Sequence, residues 1–424
     1  MKVVIVGAGF AGLQLARSLN NKKGYEITLV DKVNHHQFQP LYYQVATAGL
    51  DASNISFPIR KLFQKSKNVR FRLAEVRSIE AEQKKIRLDD GEIEYDILVL
   101  AMGATTHYFG NEQIAKFSLP MKTTSEALRI RHHLITQLEK ASIEPDPALR
   151  KSHLQIVVAG AGPTGVEVSG ALAEMKKQIL PRDYPEINFE EMRIVLVEGS
   201  DRTLGSMSPE SSQQSRKYLE NLGVEVMTST FVKDYDGEVV TLSNGIGIST
   251  QTLIWAAGIR ANSLEGINPE VIVQQNRLKV NRYNQLDNFN EIFALGDLAL
   301  MVTEKYPKGH PQVANVAINQ AKNLSQNLIK HGIEQIAKWK PYEYVDLGSM
   351  ATVGRHLAVV DMSTPKIHFG GFFAWLVWMF LHLMLILGVK NKLQVFINWA
   401  YKYFTYDQSL RLLFTDYHAK EHSK

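Results

Sequence analysis

The chain has 424 residues, 45% of them hydrophobic and 21% charged, which suits two or three domains with a large core and excludes a disordered or low-complexity protein. Lys and Arg number 48 against 43 Asp and Glu, a net +5 whose basic residues are dispersed, so no nucleic-acid partner is expected. There is no cysteine. Disulfide frameworks, thiolate zinc sites, iron–sulfur clusters and thiol catalysis are excluded, and redox chemistry needs a bound organic cofactor or a non-thiolate metal; no metal ligand set is expected.

The sequence opens on Val3-Val4-Ile5-Val6 with no basic region, apolar stretch and cleavage site ahead of it, so a secretory or transit peptide is not expected and the chain belongs on the cytoplasmic side. The β-branched run leads into Gly7-Ala8-Gly9-Phe10-Ala11-Gly12, a helical stretch through Leu19, and a second strand, 26–30, closed by Asp31. Gly7 permits the tight turn, Gly9 lets a phosphate approach the backbone, and Gly12 lets the helix pack on the strand with its N–H groups facing a pyrophosphate. Asp31, 19 residues past Gly12, is placed to accept hydrogen bonds from ribose hydroxyls.

Residues 97–104 form an apolar strand ending in Ala101 and Gly103, either a crossing close to a cofactor or an ordinary buried strand that turns. The first grammar then repeats. Ile156-Val157-Val158-Ala159 precedes Gly160-Ala161-Gly162-Pro163-Thr164-Gly165, a helix to about Lys177, a Pro-bearing loop over 178–192, and a strand closed by Glu198, 33 residues past Gly165. A carboxylate there favours free ribose hydroxyls and therefore NAD over NADP. Residues 253–258 end in Gly258 as 97–104 end in Gly103. The expected fold is α/β with two Rossmann-like dinucleotide-binding domains, one holding FAD and the other a transient NADH. The domains are read as 1–115 and 262–340 for FAD, 116–261 for NAD, and 341–424 as a C-terminal membrane-associating region.

Asp297 follows a strand and Gly296, where its carboxylate either holds a polyol hydroxyl or caps a turn. The next helix is expected to enter through His310-Pro311, with Pro at its first position, and to run to about Lys330. Val313, Val316, Ala317, Ala321, Leu324 and Leu328 form one apolar face; Gln320 falls within it, so its amide needs either a core partner or a flavin edge.

From Gly370 to Val389 no Asp, Glu, Lys or Arg occurs, a length that just spans a bilayer core of about 30 Å. Beyond it Leu393, Phe396, Ile397, Ala400 and Phe404 share a helical face, with Trp399, Tyr401 and Tyr403 at the flanks and Gln394, Asn398 and Lys402 opposite, a pattern suited to a helix in the headgroup region. The tail is a transmembrane hairpin or single span, a monotopic platform, or a buried subunit interface.

The paired fingerprints, the stretch His36-Gln37-Phe38-Gln39-Pro40-Leu41-Tyr42-Tyr43-Gln44-Val45-Ala46-Thr47-Ala48-Gly49-Leu50, Gly296-Asp297 and the Trp-rich tail resemble type II NADH dehydrogenases, the non-proton-pumping NADH:quinone oxidoreductases among the flavoproteins with two dinucleotide-binding domains. The likeness covers essentially the whole chain. It implies FAD contacts at Gly7, Gly9, Gly12, Asp31, Ala101, Gly103 and Asp297, and NADH contacts at Gly160, Gly162, Gly165, Glu198 and Gly258. Glu167 resembles the family's acid near the two rings, although a carboxylate at a helix start also complements the helix dipole. Where the family carries two glutamines at its quinone site this chain has Asn315 and Asn319, which reach less far; Lys366 is a further quinone candidate or an interfacial lysine.

Glu167 and Gln320 are the residues expected at the chemistry. The resemblance favours the monotopic platform, a homodimer, a membrane quinone as acceptor, and a seat on the cytoplasmic side of the inner membrane. Alternatives are an apoptosis-inducing-factor-like flavin/NADH-binding signalling protein and an NADH-dependent reductase of another acceptor.

Overall fold

Each β-branched run that precedes a glycine turn becomes the central strand of a parallel five-stranded sheet in the computed structural model, which describes residues 1–408 and 410–413. In the first sheet the order is Ile292–Ala294, Ile97–Leu100, Lys2–Val6, Glu26–Asp31, Val69–Leu73. In the second it is Leu119–Pro120, Thr252–Trp255, Gln155–Ala159, Arg193–Val197, Val224–Met227. The central strands are buried on both faces, which is why they read as unbroken apolar runs rather than alternating ones.

Each parallel sheet is accompanied by a three-stranded antiparallel meander, Val76–Glu80 to Gly91–Glu94 in one case and Val232–Tyr235 to Gly247–Ser249 in the other. Residues 1–37, 57–105 and 259–346 form one compact unit; residues 38–56, 106–258 and the chain from Leu347 onward form another.

Within the second unit a three-stranded antiparallel sheet, Ser349–Thr352, Ala358–Ser363 and Lys366–Gly370, packs on the Pro163–Glu174 helix. The approach is close at Gly170, where a Cβ would lie 2.7 Å from the backbone nitrogen of Gly354.

Three boundaries differ from the sequence expectations. The second fingerprint helix does not give way to a loop after Lys177; Pro163–Glu174 continues through a π-turn, Met175–Ile179, into Leu180–Asp183. Pro181 lacks the N–H that a regular turn needs, and the widened turn absorbs that loss. The helix after Asp297 starts at Ala314 and ends at His331. Pro311 stays outside it because Val313 is extended (φ −131°, ψ 153°); the Gln312 side chain donates from Nε2 to the Asp297 carbonyl at 2.9 Å.

The apolar tail is not one long helix either. Phe372–Leu385 and Val389–Thr405 are separated at Gly388, whose φ of +82° breaks the helix. Fourteen residues reach about 21 Å, short of a bilayer core of about 30 Å. Among the described residues no helix is long and apolar enough to cross a membrane.

Both helices turn apolar side chains outward: Phe380 and Met384 on one, Leu393, Phe396, Ile397 and Phe404 on the other, are exposed. Trp378 and Trp399 are buried instead. Trp399 was expected at the flank of the second helix and Lys402 opposite its apolar face. Trp399 donates from Nε1 to Gln44 Oε1 at 2.8 Å, and Lys402 turns inward, where burial pulls its ammonium down and the charge of Glu174 pulls it back up. The second helix is thus amphipathic with its apolar face outward, the reverse of a water-soluble surface helix.

Candidate functional site

The two glycine turns are built alike. Gly7 and Gly160 have φ of +100° and +96°, and each donates its N–H to a carbonyl near the end of the neighbouring strand, Val30 at 2.7 Å and Val197 at 2.8 Å. A Cβ at Gly7 would lie 2.3 Å from the Ala101 carbonyl oxygen; at Gly160 it would lie 2.6 Å from that of Ala256. Glycine at positions 7 and 160 is therefore required by contact with the backbone that follows the crossing strands.

At Gly12 and Gly165 a Cβ would fall 1.9 and 1.8 Å from the carbonyl oxygens of Gly7 and Gly160. At Gly9 and Gly162 it would meet nothing within 4 Å. Those two glycines begin the helices Phe10–Leu19 and Pro163–Glu174, and no side chain caps either start. By contrast the Thr124–Ile143 helix has a complete capping box from Thr123 and Glu126. Unsatisfied N–H groups facing open space at both fingerprints suit a bound pyrophosphate.

The two acids also match. Asp31 accepts from the N–H of Ala8 at 2.6 Å and of Val33 at 2.9 Å; Glu198 accepts from Ala161 at 2.6 Å and Ser200 at 2.8 Å. Burial pushes the Asp31 carboxyl up, while its two backbone donors pull it down. Each acid opens on a cleft. Gly7, Asp31, Ala74, Glu75, Met102 and Asn262 line one of about 150 Å³. Gly160, Glu198, Phe109, Phe231, Val232 and Ala257 line one of about 640 Å³.

The first cradle is completed by chain that the sequence placed there. The Ala101 N–H donates to the Val6 carbonyl at 2.8 Å, and Gly103, at φ +65°, accepts at its carbonyl from the Asn262 N–H at 3.1 Å. Gly296 donates its N–H to Gln320 Oε1 at 2.8 Å. Gln320 is fully buried and its Nε2 has no protein partner, so half of its amide is a core contact and half remains available to a ligand. Asp297 is half-buried beside Gly296 and feels the charge of Arg277. His36 Nδ1 lies 3.0 Å from the Ala8 carbonyl, tying the His36–Leu50 stretch to the first fingerprint.

In the second unit Gly258 accepts from the His107 N–H at 3.0 Å and leaves room for the Phe109 ring, which a Cβ would approach to 2.8 Å. Glu167 lies in the second fingerprint helix and is 8% exposed. Burial pushes its carboxyl up to about 8, against the pull of the Thr352 N–H at 3.4 Å. Burial thus favours its neutral form.

From Thr352 a hydrogen-bonded chain continues to other residues. Thr352 Oγ1 lies 3.1 Å from the Tyr43 hydroxyl, Gln44 Nε2 donates to that hydroxyl at 2.9 Å, and Trp399 Nε1 donates to Gln44 Oε1. Sequence reasoning singled out Glu167 but missed Tyr43, Gln44, Thr352 and Trp399 as its neighbours. The only signal was their place in the His36–Leu50 stretch and the Trp-rich tail.

Asn315 and Asn319 come together: Asn319 Nδ2 donates to Asn315 Oδ1 at 2.6 Å, and Asn315 Nδ2 donates to the Val345 carbonyl at 3.2 Å. Lys366 stands exposed, opposite Ser363 on the last hairpin.

Comparison with known proteins agrees with this construction. Residues 1–321 match the family described as pyridine nucleotide-disulphide oxidoreductase, and residues 347–405 match the NDH2 C-terminal domain. The type II NADH:quinone oxidoreductase NdhA of Mycobacterium tuberculosis is 35% identical over 94% of this chain and 86% of its own length. That of Staphylococcus aureus is 30% identical over 84% and 88%.

A solved structure of NDH2 from Plasmodium falciparum in complex with NADH shares the fold, with a TM-score of 0.88, 22% identity, and 98% and 99% of the two chains covered. The sulfide:quinone oxidoreductase of Aquifex aeolicus shares it more loosely, at a TM-score of 0.72 and 19% identity. With residues 347–405 matching the NDH2 C-terminal domain and a type II NADH:quinone oxidoreductase 35% identical over 94% of the chain, the chain belongs to the type II NADH:quinone oxidoreductase family.

Proposed function

We propose that the chain is a membrane-seated respiratory flavoenzyme that takes two electrons from NADH and delivers them to a quinone without pumping protons. The observation that carries this reading is the duplicated cradle, an uncapped glycine helix start beside an acid held by the loop amide, occurring twice in a chain without thiols. Flavin adenine dinucleotide bound in the first cradle supplies the two-electron chemistry linking the hydride donor to the quinone.

The residues act by binding and orienting. The uncapped N–H groups at the start of the Phe10–Leu19 helix would receive the flavin pyrophosphate, with Gly7, Gly9 and Gly12 shaping the turn that admits it, Asp31 would take a ribose and Asp297 the ribityl chain, while Ala101 and Gly103 allow close backbone approach. Gly160, Gly162, Gly165 and Gly258 do the same for NADH, with Glu198 on the adenosine ribose. Gln320 offers its unpartnered Nε2 to the flavin edge. Glu167 holds a transferable proton, and Asn315, Asn319 and Lys366 are assigned to the quinone headgroup. Residues 1–115 and 262–340 serve the flavin, 116–261 the nicotinamide coenzyme, and 341–424 the membrane; residues 409 and 414–424 of that last region lie outside the described residues.

The outward apolar faces of the two C-terminal helices support a monotopic seat on lipid, and the water-soluble coenzyme supports the cytoplasmic side of the inner membrane. Replacing Phe396 and Phe404 together by Ser is expected to weaken sedimentation with phospholipid vesicles by roughly tenfold or more, since each buried ring contributes about 1.5–3 kcal/mol. Unchanged sedimentation would remove the lipid seat. The homodimer is read out by the mass of the detergent-solubilised enzyme.

Stopped-flow spectroscopy of detergent-purified protein tests the whole reading. NADH is expected to bleach the flavin, and a short-chain quinone to restore its colour rapidly. Absence of a yellow cofactor, recovery by oxygen alone, or slow quinone turnover with a long-lived charge-transfer band would overturn it, the last in favour of a signalling flavoprotein. Glu198→Arg is expected to raise the half-saturating NADH concentration at least about tenfold, because the ribose hydroxyls lose their acceptor. An unaffected value would cancel the ribose assignment.

A further inference from the structure

Two phenylalanines depart from the rule that large apolar rings are buried. Outside the two C-terminal helices, Phe109 and Phe231 are the only described phenylalanines that stand mostly in water, at 63% and 58%. Both line the cleft of about 640 Å³ that contains Gly160 and Glu198.

Phe231 is held beside the acid. The N–H groups of Ser229 and Thr230 donate to the carbonyls of Ser200 and Glu198 at 2.7 and 2.9 Å, and a Cβ on Gly199 would lie 3.7 Å from the Phe231 Cβ. Phe109 belongs to another wall. Its ring centroid is 4.3 Å from that of His107 and 6.5 Å from that of Trp255, and its ring fills the space left by Gly258. Its backbone has φ +52°, a left-handed conformation that bulky residues rarely adopt. An exposed ring on such a backbone gains nothing for the core.

The first cradle is an internal control. Its cleft has the same plan, with a fingerprint glycine, an acid, the segment after the third strand and the segment after the crossing strand. Ala74, Glu75, Met102 and Asn262 stand there and no aromatic ring does. Aromatic walls are therefore not a demand of the fold.

We propose that Phe109 and Phe231 form a stacking clamp for the adenine base of NADH, so that the coenzyme's affinity is drawn from its non-reacting end. The inference rests on the assignment of the second cradle to NADH: a ribose on Glu198 carries its base beyond that acid, to the wall where Phe231 stands. A purine presents two π faces that suit flat rings, and such stacking is indifferent to the redox state of the nicotinamide. The clamp binds ground state and transition state alike, so it sets half-saturation and not the rate of hydride transfer.

The test uses the full-length flavin-loaded enzyme with Phe109→Ala, Phe231→Ala and the two Tyr replacements. Each Ala variant is expected to raise the half-saturating NADH concentration for flavin reduction roughly tenfold, with an unchanged rate at saturation, and each Tyr variant to restore it. ADP-ribose, which has the adenine and lacks the nicotinamide, is expected to bind the wild type and to lose the same factor in titration calorimetry. Reduced nicotinamide mononucleotide, which lacks the adenine, is expected to reduce wild type and variants alike.

If ADP-ribose does not bind the wild type, the coenzyme assignment fails and the clamp with it. If it binds wild type and Ala variants equally, the clamp alone fails. A lowered saturating rate with unchanged half-saturation would place the rings at the nicotinamide and overturn the proposal. Both rings are exposed, so melting temperatures should stay level; if an Ala variant melts early, its Tyr counterpart with restored half-saturation still supports the clamp and one without it refutes it.

Discussion

Gly12→Ala is expected to give a protein that retains no flavin and melts well below the wild type. The new methyl group would sit 1.9 Å from the Gly7 carbonyl oxygen, and both partners are backbone, so relief requires the Phe10–Leu19 helix to move off the central strand. Overpacking of this kind costs about 1–3 kcal/mol where side chains can give way, and more where only backbone can move.

Gly9→Ala is the informative companion. A Cβ there meets nothing within 4 Å, so the apoprotein should melt at the wild-type temperature while flavin is lost from a phosphate site now filled by a methyl group. Apoprotein calorimetry and the flavin absorbance ratio separate the two effects. A yellow, stable Gly12→Ala variant would show that the close approach does not shape the cradle. Gly165→Ala, with its contact at 1.8 Å, should affect NADH in the same way without discharging the flavin.

Glu167→Gln is expected to change both stability and turnover. Burial raises the folded-state carboxyl to about 8, above its ordinary value of 4.5, so between those values the native protein holds a proton that the unfolded chain has released. Stability is fully present below about pH 4.5 and falls as pH rises through the window to about 8, by at most roughly 5 kcal/mol in total. Gln removes that dependence, so the variant should be the more stable of the two above pH 8 and its denaturation midpoint flatter with pH. Equal pH slopes would mean that Glu167 is ionised in the native state.

In turnover the amide can still accept the Thr352 N–H but has no proton to give. The quinone half-reaction should slow by about tenfold, below the roughly 10²–10⁴ of an obligatory general acid because other donors can substitute, and its alkaline limb near pH 8 should vanish. An unchanged limb would assign the proton to another group.

Much of the site was legible because its requirements are local. Gly7, Gly9 and Gly12, like Gly160, Gly162 and Gly165, answer to backbone geometry within one turn, and Asp31 ends and Glu198 directly follows the strand next to its fingerprint. The apolar helical faces followed from residue spacing alone. Spacing could not tell inside from outside. It placed Lys402 opposite the apolar face, and the structure turns that side inward toward Glu174 with Phe396 and Phe404 outside.

The chain from Glu167 through Thr352 and Tyr43 to Gln44 and Trp399 was illegible for a different reason. Its members lie up to hundreds of positions apart, and no periodicity relates them. The start of the helix at Ala314 was also beyond the sequence pattern, since Val313 is extended and keeps Pro311 out of the first turn.

By itself the sequence determined two dinucleotide cradles, the absence of thiol chemistry and an apolar tail, because glycine sterics, residue inventory and hydropathy act at short range. The tertiary structure decided that the tail breaks at Gly388 into helices too short to span a bilayer, and that Glu167 keeps its proton. Both outcomes depend on which distant residues share a desolvated space, a property that packing alone creates.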